Sequence, residues 1–379
     1  MRKKDTEEFS RKITNIDPLL WLIPLMLSGL GILMITSTTS PLSFELTGTP
    51  FAIGLRQLLW LAISIVSMLV AYSLSSSSWK KISGLMWCIA FVLVVASAIP
   101  GVGTSVGGAR RWLRFAGLSL QPAELLVFAV AIHLSSMMTR DDSVRVDKER
   151  IFLKTLLFLS VSAVPLFFQP DLGSIILLFS LGMGIYVERF GWKYPLFTGF
   201  IGIFLLGMLV IQKTYRMRRV MAFIDPWKDP LDTGFQAIQG LIAFANGGAW
   251  GTGLGHGLQK LQYLPAAYTD FIYAALGEEL GLLGTLGVLF LFLFWVLRCR
   301  YLYNRTEDDF KATLIWAITL TIIIPLFINI AGVTKAIPLT GMPLPFVSFG
   351  GTSLVVMWMR VGILLHLSKQ LAESTSSHE

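Results

Sequence analysis

The sequence predicts an all-α polytopic membrane protein with about ten transmembrane helices. Three observations predict it. Of 379 residues, 54% are hydrophobic and only 14% charged, where a soluble chain carries about 25% charged residues; the mean hydropathy is +0.68. Apolar stretches near the length that crosses a bilayer, about 20 residues per helix, recur along the whole chain. Basic residues gather in alternate connecting segments, the asymmetry that orients membrane proteins. Together these exclude a cytosolic enzyme, a disordered chain and a nucleic-acid binder. They leave no length for a second folded domain.

Residues 1–17 are a polar, basic tail. The apolar run 18–36 lacks a small-residue cleavage pattern, so it reads as a first span rather than a removed signal peptide. Further spans are expected at 57–74, 82–99, 120–138, 153–168, 171–188, 192–211, 271–297, 312–332 and 350–369. The serines at 75–78 make a short turn. Gln169-Pro170-Asp171 separates the fifth and sixth spans, because proline between polar neighbours suits a tight turn better than a helix interior. The plan is a tail (1–17), one transmembrane domain (18–370) and a second tail (371–379).

With the N-terminus inside, the inside segments hold most of the lysine and arginine, including Lys80, Lys81, Arg298 and Arg300. The short outside segments hold only Arg56, Arg110, Arg111, Arg114 and Lys335. Both termini are therefore expected in the cytoplasm. The net charge of +8 then reflects inward-facing loops rather than an acidic partner. The long segment 212–270 faces outward, before the eighth span. Its Trp227, Trp250 and apolar piece 237–245 argue against disorder and predict short amphipathic or re-entrant helices at the outer surface. There is no internal repeat, so an inverted-repeat transporter gains no support. Cys88 and Cys299 fall in different compartments, which argues against a disulfide. The four histidines are scattered and indicate no zinc site.

Ionisable residues at membrane depth are informative because an unpaired charge there costs several kcal/mol. They are Glu124, Asp171, Asp270, Glu278, Glu279 and Arg360. The simplest reading of Glu278, Glu279 and Arg360 is an internal charge pair that joins helices. The outward basic residues Arg110, Arg111, Arg216, Arg218, Arg219, Lys260 and Lys335 form a second group. Arginine forks suit phosphate and diphosphate; each residue alone is better read as a lipid-headgroup anchor, and their number on the charge-poor side favours a substrate role for the group. The run Gly247–Gly257 looks like a phosphate loop. It has no following Gly-Lys-Ser/Thr and no strand–turn–helix unit around it, so it is read as tightly turned backbone, not an ATP site.

Five blocks now line up in order: Gly108–Leu113 with Gln121-Pro122-Ala123-Glu124; Gln169–Gly173; Tyr215-Arg216, Asp225-Pro226-Trp227 and Gly234-Phe235-Gln236; Leu264–Ile272 with Gly277–Gly281; and Pro343–Ser353. On these blocks the chain resembles the SEDS family (shape, elongation, division and sporulation), which includes FtsW, RodA and SpoVE. The resemblance implies the SEDS fold in a bacterial plasma membrane. It also implies polymerisation of lipid II into glycan strands at the outer face, beside a class B penicillin-binding protein and other divisome or elongasome membrane proteins. By resemblance Asp270, in the Thr-Asp-Phe block, is the catalytic carboxylate. Arg110, Arg111, Arg216, Arg219, Lys260 and Lys335 are expected to bind substrate, with Glu124, Asp171, Gln236, Thr269 and Ser348 in support. Gly247–Lys260 and Tyr263-Leu264-Pro265 resemble the division or sporulation type and 339–345 the elongation or sporulation type; the division type is preferred, with the elongation type, a lipid II flippase or a non-catalytic scaffold as alternatives. The chain departs from the family pattern at Val127, where lysine is usual, at Ala266 (glutamate), Tyr268 (histidine), Phe349 (tyrosine) and Thr352 (serine).

The chemistry can be argued independently. An acceptor hydroxyl must attack the anomeric carbon of a lipid-linked donor, with a lipid diphosphate as leaving group. One carboxylate serves as general base, and the diphosphate needs no acid if cations stabilise it. Outer arginines, or a divalent cation such as Mg²⁺ or Mn²⁺, can supply that charge. For Asp270 the competing structural role is a helix N-cap.

Overall fold

The computed structural model describes residues 17–106, 109–115, 118–139, 147–211, 214–258 and 264–376. Its helices follow from leucine- and phenylalanine-rich runs, which in hydrocarbon can satisfy their backbone polar groups only within the helix. In order they are α1 (Leu19–Thr47), α2 (Ala52–Ser73), α3 (Ser76–Ala98), α4 (Pro122–Met138), α5 (Lys148–Phe168), α6 (Leu172–Phe190), α7 (Lys193–Ile211), α8 (Thr214–Ile224), α9 (Phe235–Gly247), α10 (Ile272–Arg305), α11 (Asp309–Val333) and α12 (Gly351–Ser376). Eight of the described helices are long and apolar enough to cross a membrane; the expected fourth and seventh spans fall on shorter apolar helices, α4 and the Lys193–Leu205 part of α7. The protein is thus a multi-pass, mainly helical membrane protein.

Three features differ from the sequence expectation. The connection between α3 and α4 is not purely helical or coiled. It holds an antiparallel sheet in the order β1 (Gly103–Val106), β2 (Ala109–Phe115) and β3 (Leu118–Leu120). α1 extends to Thr47, well past the apolar window, and carries Pro41 within it. α10 is broken at Gly281, where φ is +68°. The long segment 212–270 contains α8, a 3-10 turn at Pro226–Lys228 and α9, the short helices its composition predicts.

α4 and α12 form the interior. Leu126, Val130, Ala131, Ile132 and Leu134 of α4 and Val356, Trp358, Val361, Ile363 and Leu364 of α12 are buried. The outer helices instead expose large apolar side chains, such as Leu59 and Val66 of α2 and Phe197, Phe200, Ile203 and Phe204 of α7. Such patches on a soluble protein would drive association; here they face hydrocarbon. One end of the bundle is tied by ion pairs: Arg298 with Asp17, Arg300 with Glu188 at 2.6 Å and Arg189 with Asp309 at 2.7 Å. A large cavity opens among the connections at the opposite end.

Candidate active site

The segment leading into α10 is held by its backbone. Three consecutive carbonyls each accept a hydrogen bond from a different donor. The Tyr268 carbonyl accepts from the Phe349 N–H at 2.9 Å, that of Thr269 from the Ser348 hydroxyl at 2.6 Å, and that of Asp270 from Asn329 Nδ2 at 2.7 Å. The same Asn329 amide donates to the Met342 carbonyl at 2.7 Å, and Ser348 Oγ accepts from the Leu344 N–H at 2.8 Å. The Pro343–Ser353 block and α11 therefore clamp the Asp270 backbone. The helix cap is Phe271, which makes no side-chain capping bond. Asp270 stands one residue before it.

Asp270 lines a cavity of about 790 Å³ with Arg56, Arg111, Arg114, Glu124 and Asp171. That size suits a ligand bigger than a single sugar. β2 brings the arginines here through a bulge: Thr104 pairs with Trp112 but Ser105 pairs with Arg110, which leaves Arg111 as the extra residue. A bulge re-aims side chains, and Arg111, Trp112 and Arg114 all reach the cavity wall. Among the described residues no three His, Cys, Asp or Glu side chains gather closely enough to hold a metal ion by themselves; a divalent cation at Asp270 would share its ligands with substrate phosphates.

The other expected site residues divide. Thr269 lines the cavity. Ser348 is buried and acts on Thr269 through the hydrogen bond above. Arg111 donates through Nε to the Gln169 carbonyl at 3.1 Å and through Nη2 to that of Pro170 at 2.6 Å, and sits 3.7 Å from Asp171. Asp171 caps α6, accepting from the Ser174 N–H and hydroxyl. Arg111 thus spends much of its fork on the turn at 169–171. Arg110 is exposed and lies outside the cavity wall. Gln236 donates to the Pro265 carbonyl at 3.2 Å and, with Lys335 and Arg218, lines a separate pocket of about 320 Å³. Lys260 lies outside the described residues, as do the side chains of Arg216 and Arg219 in α8.

The expected pairing of Glu278 and Glu279 with Arg360 is overturned. Glu278 Oε1 accepts from Leu258 N–H at 3.1 Å and Asn246 Nδ2 at 3.3 Å. Glu279 accepts from the Ser37 hydroxyl at 2.5 Å and the Gly255 N–H at 3.0 Å. The carboxylates thus tie down the glycine run. Its glycines are needed for contact: a Cβ on Gly247 or Gly251 would strike the Gly277 or Glu279 carbonyl, and one on Gly281 would strike the Gly251 backbone. Arg360 instead faces Glu124 and Phe128 on α4. Sequence spacing could not reveal this exchange, because each partner arrives from a distant part of the chain.

Sequence departures fall into the same geometry. Tyr268 and Phe349 stack edge to face, 5.8 Å between centroids, so the two aromatic changes meet. Thr352 keeps the hydroxyl, donating to the Ser119 carbonyl at 3.0 Å and accepting from the Gln121 N–H at 3.2 Å. Arg56, Arg114 and Asn329 are site residues that sequence reasoning did not single out.

A multi-pass helical bundle whose connections enclose an arginine- and carboxylate-lined cavity at one end defines an integral membrane protein built to act on a large polar ligand at the bilayer surface. The sequence profile of the FtsW/RodA/SpoVE family of cell cycle proteins matches residues 17–373. The chain belongs to that family. It is 34% identical over 370 residues to a probable peptidoglycan glycosyltransferase FtsW of Geobacter sp. (strain M18), covering 95% of this chain and 99% of that one. A namesake in Idiomarina loihiensis is 35% identical over 359 residues, covering 93% and 87%. Among solved structures, one from a peptidoglycan synthase complex that coordinates polymerization and crosslinking superposes with a TM-score of 0.76 at 23% identity, covering 94% of this chain and 98% of that chain. The rod shape determining protein RodA of Thermus thermophilus gives 0.70 at 20% identity, covering 94% and 97%. These two likenesses establish the SEDS fold.

Proposed function

We propose that this chain is a peptidoglycan glycosyltransferase of the division type, which polymerises lipid II at the outer face of the bacterial plasma membrane. The observation that carries the reading is the clamp on Asp270: three successive carbonyls are fixed while the carboxylate lines the charged cavity. The full-length match to FtsW-named relatives supports the activity and the division assignment.

In this reading the acceptor sugar's hydroxyl lies against Asp270, which takes its proton as the oxygen attacks the donor's anomeric carbon. The carbon–oxygen bond to the diphosphate breaks on the opposite side, with inversion, and the electron pair stays on the diphosphate. Arg56 and Arg114, on the cavity wall, offer positive charge to it. The Arg111–Asp171 contact fixes the turn at the cavity edge. The reaction in this reading runs at the outer surface with both termini cytoplasmic; the support is that the cavity collects the connections the positive-inside rule assigns outward. Polymer made there needs cross-linking, and a class B penicillin-binding protein is the fitting partner.

The test is polymerisation of lipid II by the purified chain in detergent, alone and with its cognate transpeptidase. Glycan strands formed in either arm are the expected result. Absence of polymer in both arms, with a folded protein, would sink the enzymatic reading; lipid II movement across vesicles under those conditions would point to a flippase.

A further inference from the structure

Arg360 is 1% exposed and belongs to the wall of the cavity that holds Asp270, yet the reaction scheme leaves it unused. It lies nine residues into α12, roughly 14 Å along the helix from Gly351. Its Nε and Nη2 are buried without a hydrogen-bond partner among the described residues. These two atoms form the edge of the guanidinium that grips an oxyanion through two parallel N–H bonds.

The surroundings say what the group is doing there. Its Cζ lies 5.9 Å from the centre of the Phe128 ring, and Glu124 is the carboxylate whose charge acts on it. Glu124, Val127 and Phe128 are spaced i, i+3 and i+4, on one face of α4. Val127 stands where the SEDS pattern has a lysine. The guanidinium therefore covers the α4 face from which that lysine would project, but it is delivered by α12. A purely structural pair would use the fork's two-donor edge, since unmet buried donors are costly. Here that edge is left over.

The geometry points to Arg360 as a residue that receives the diphosphate of the lipid-linked donor, alongside Arg56 and Arg114 on the same cavity wall. Beside this face of α4 the positive charge comes from α12. This deepens the glycosyltransferase reading and rests on it. As the anomeric carbon–oxygen bond breaks, charge grows on the diphosphate oxygen, and a two-pronged donor there stabilises it without giving up a proton. The proton of the acceptor hydroxyl goes to Asp270.

The experiment reads binding apart from turnover. The purified full-length chain is titrated with undecaprenyl diphosphate, undecaprenyl monophosphate and inorganic pyrophosphate, followed by thermal shift; KM and kcat for lipid II are measured alongside. The parent should be protected best by undecaprenyl diphosphate. Arg360→Met should weaken that binding about ten- to hundredfold and raise KM, while Arg360→Lys should retain part of it. Adding Val127→Lys to Arg360→Met should restore most of the lost binding, whereas a merely structural role of Arg360 predicts that Arg360→Met lowers thermal stability and leaves the affinity of the folded protein for undecaprenyl diphosphate unchanged. A folded Arg360→Met protein that binds undecaprenyl diphosphate as the parent does would overturn the assignment. Should Arg360→Met not fold, a folded Val127→Lys/Arg360→Met protein without diphosphate binding overturns it equally. Equal protection by inorganic pyrophosphate would overturn the lipid-linked identity of the ligand. A parent that binds the diphosphate but forms no polymer would refute the glycosyltransferase reading and leave the site standing.

Discussion

Asp270→Asn preserves size and removes basicity. General-base contributions run at about 10²–10⁴-fold, so polymer formation should fall to background while thermal stability and lipid II binding hold. A folded Asn variant with normal turnover would dismiss Asp270 as the base. Its neighbour Gly341 is a second lever. The Gly341 φ of +74° is one that side chains tolerate poorly, and a Cβ there would come 3.3 Å from Asp270 Oδ2. Gly341→Ala should therefore press on the carboxylate and lower kcat about tenfold, since small misplacements of reacting groups are costly, with KM for lipid II nearly unchanged; an unaltered kcat would show that the carboxylate has room to yield. Asp270 was legible in the sequence because it sits in a distinctive block. Gly341 and Asn329 were not. Each acts through a contact between segments far apart in the chain, and nothing in its own surroundings announces the partner.

At the level of elements, the glycine-rich run and the broken start of α10 form one unit. Gly281 allows α10 to turn so that the Glu278 and Glu279 carbonyls accept from the N–H groups of Thr252 at 2.9 Å and Gly253 at 3.0 Å. The two carboxylates complete the attachment and reach α1 through Ser37. Sequence reasoning read the glycines as tightly turned backbone, and positive φ at Gly248, Gly251, Gly253 and Gly255 agrees; it read the carboxylates as groups that join helices. It assigned them the wrong partner because an intramembrane acid and an intramembrane arginine invite pairing on charge alone. Glu279→Ala removes the acceptor of the Ser37 hydroxyl and the Gly255 N–H. Both donors are only partly shielded from water, so each lost bond costs about 0.5–1.5 kcal/mol; the melting temperature should drop modestly and hydrogen exchange at 251–257 should accelerate well before exchange in α4. Equal acceleration in both would mean that the carboxylate supports the whole bundle and not this unit.

For the molecule as a whole, hydropathy located the helices because hydrocarbon imposes one solution, the helix, on nearly every long apolar run. It failed at the small sheet between α3 and α4, where the connection leaves hydrocarbon and polar strands become admissible. Orientation is a separate matter, set by charge. The ion-paired end gathers Asp17, Glu188, Arg189, Arg298, Arg300 and Asp309, and the cavity end gathers Arg56, Arg111, Arg114, Asp171 and Asp270. Alternation of the spans puts all residues of each set on one side, so a single label fixes every loop. The basic-residue excess predicts that the ion-paired end is cytoplasmic. Cysteine introduced at Leu231, an exposed residue between the 3-10 turn and α9, should react with an impermeant reagent in intact spheroplasts. Cysteine at Ser376, at the end of α12, or at Ser143, which lies outside the described residues, should react only after lysis. Labelling at 143 or 376 in intact cells would invert the molecule. The cavity would then open to the cytoplasm, and strands could not be polymerised from lipid II at the outer face.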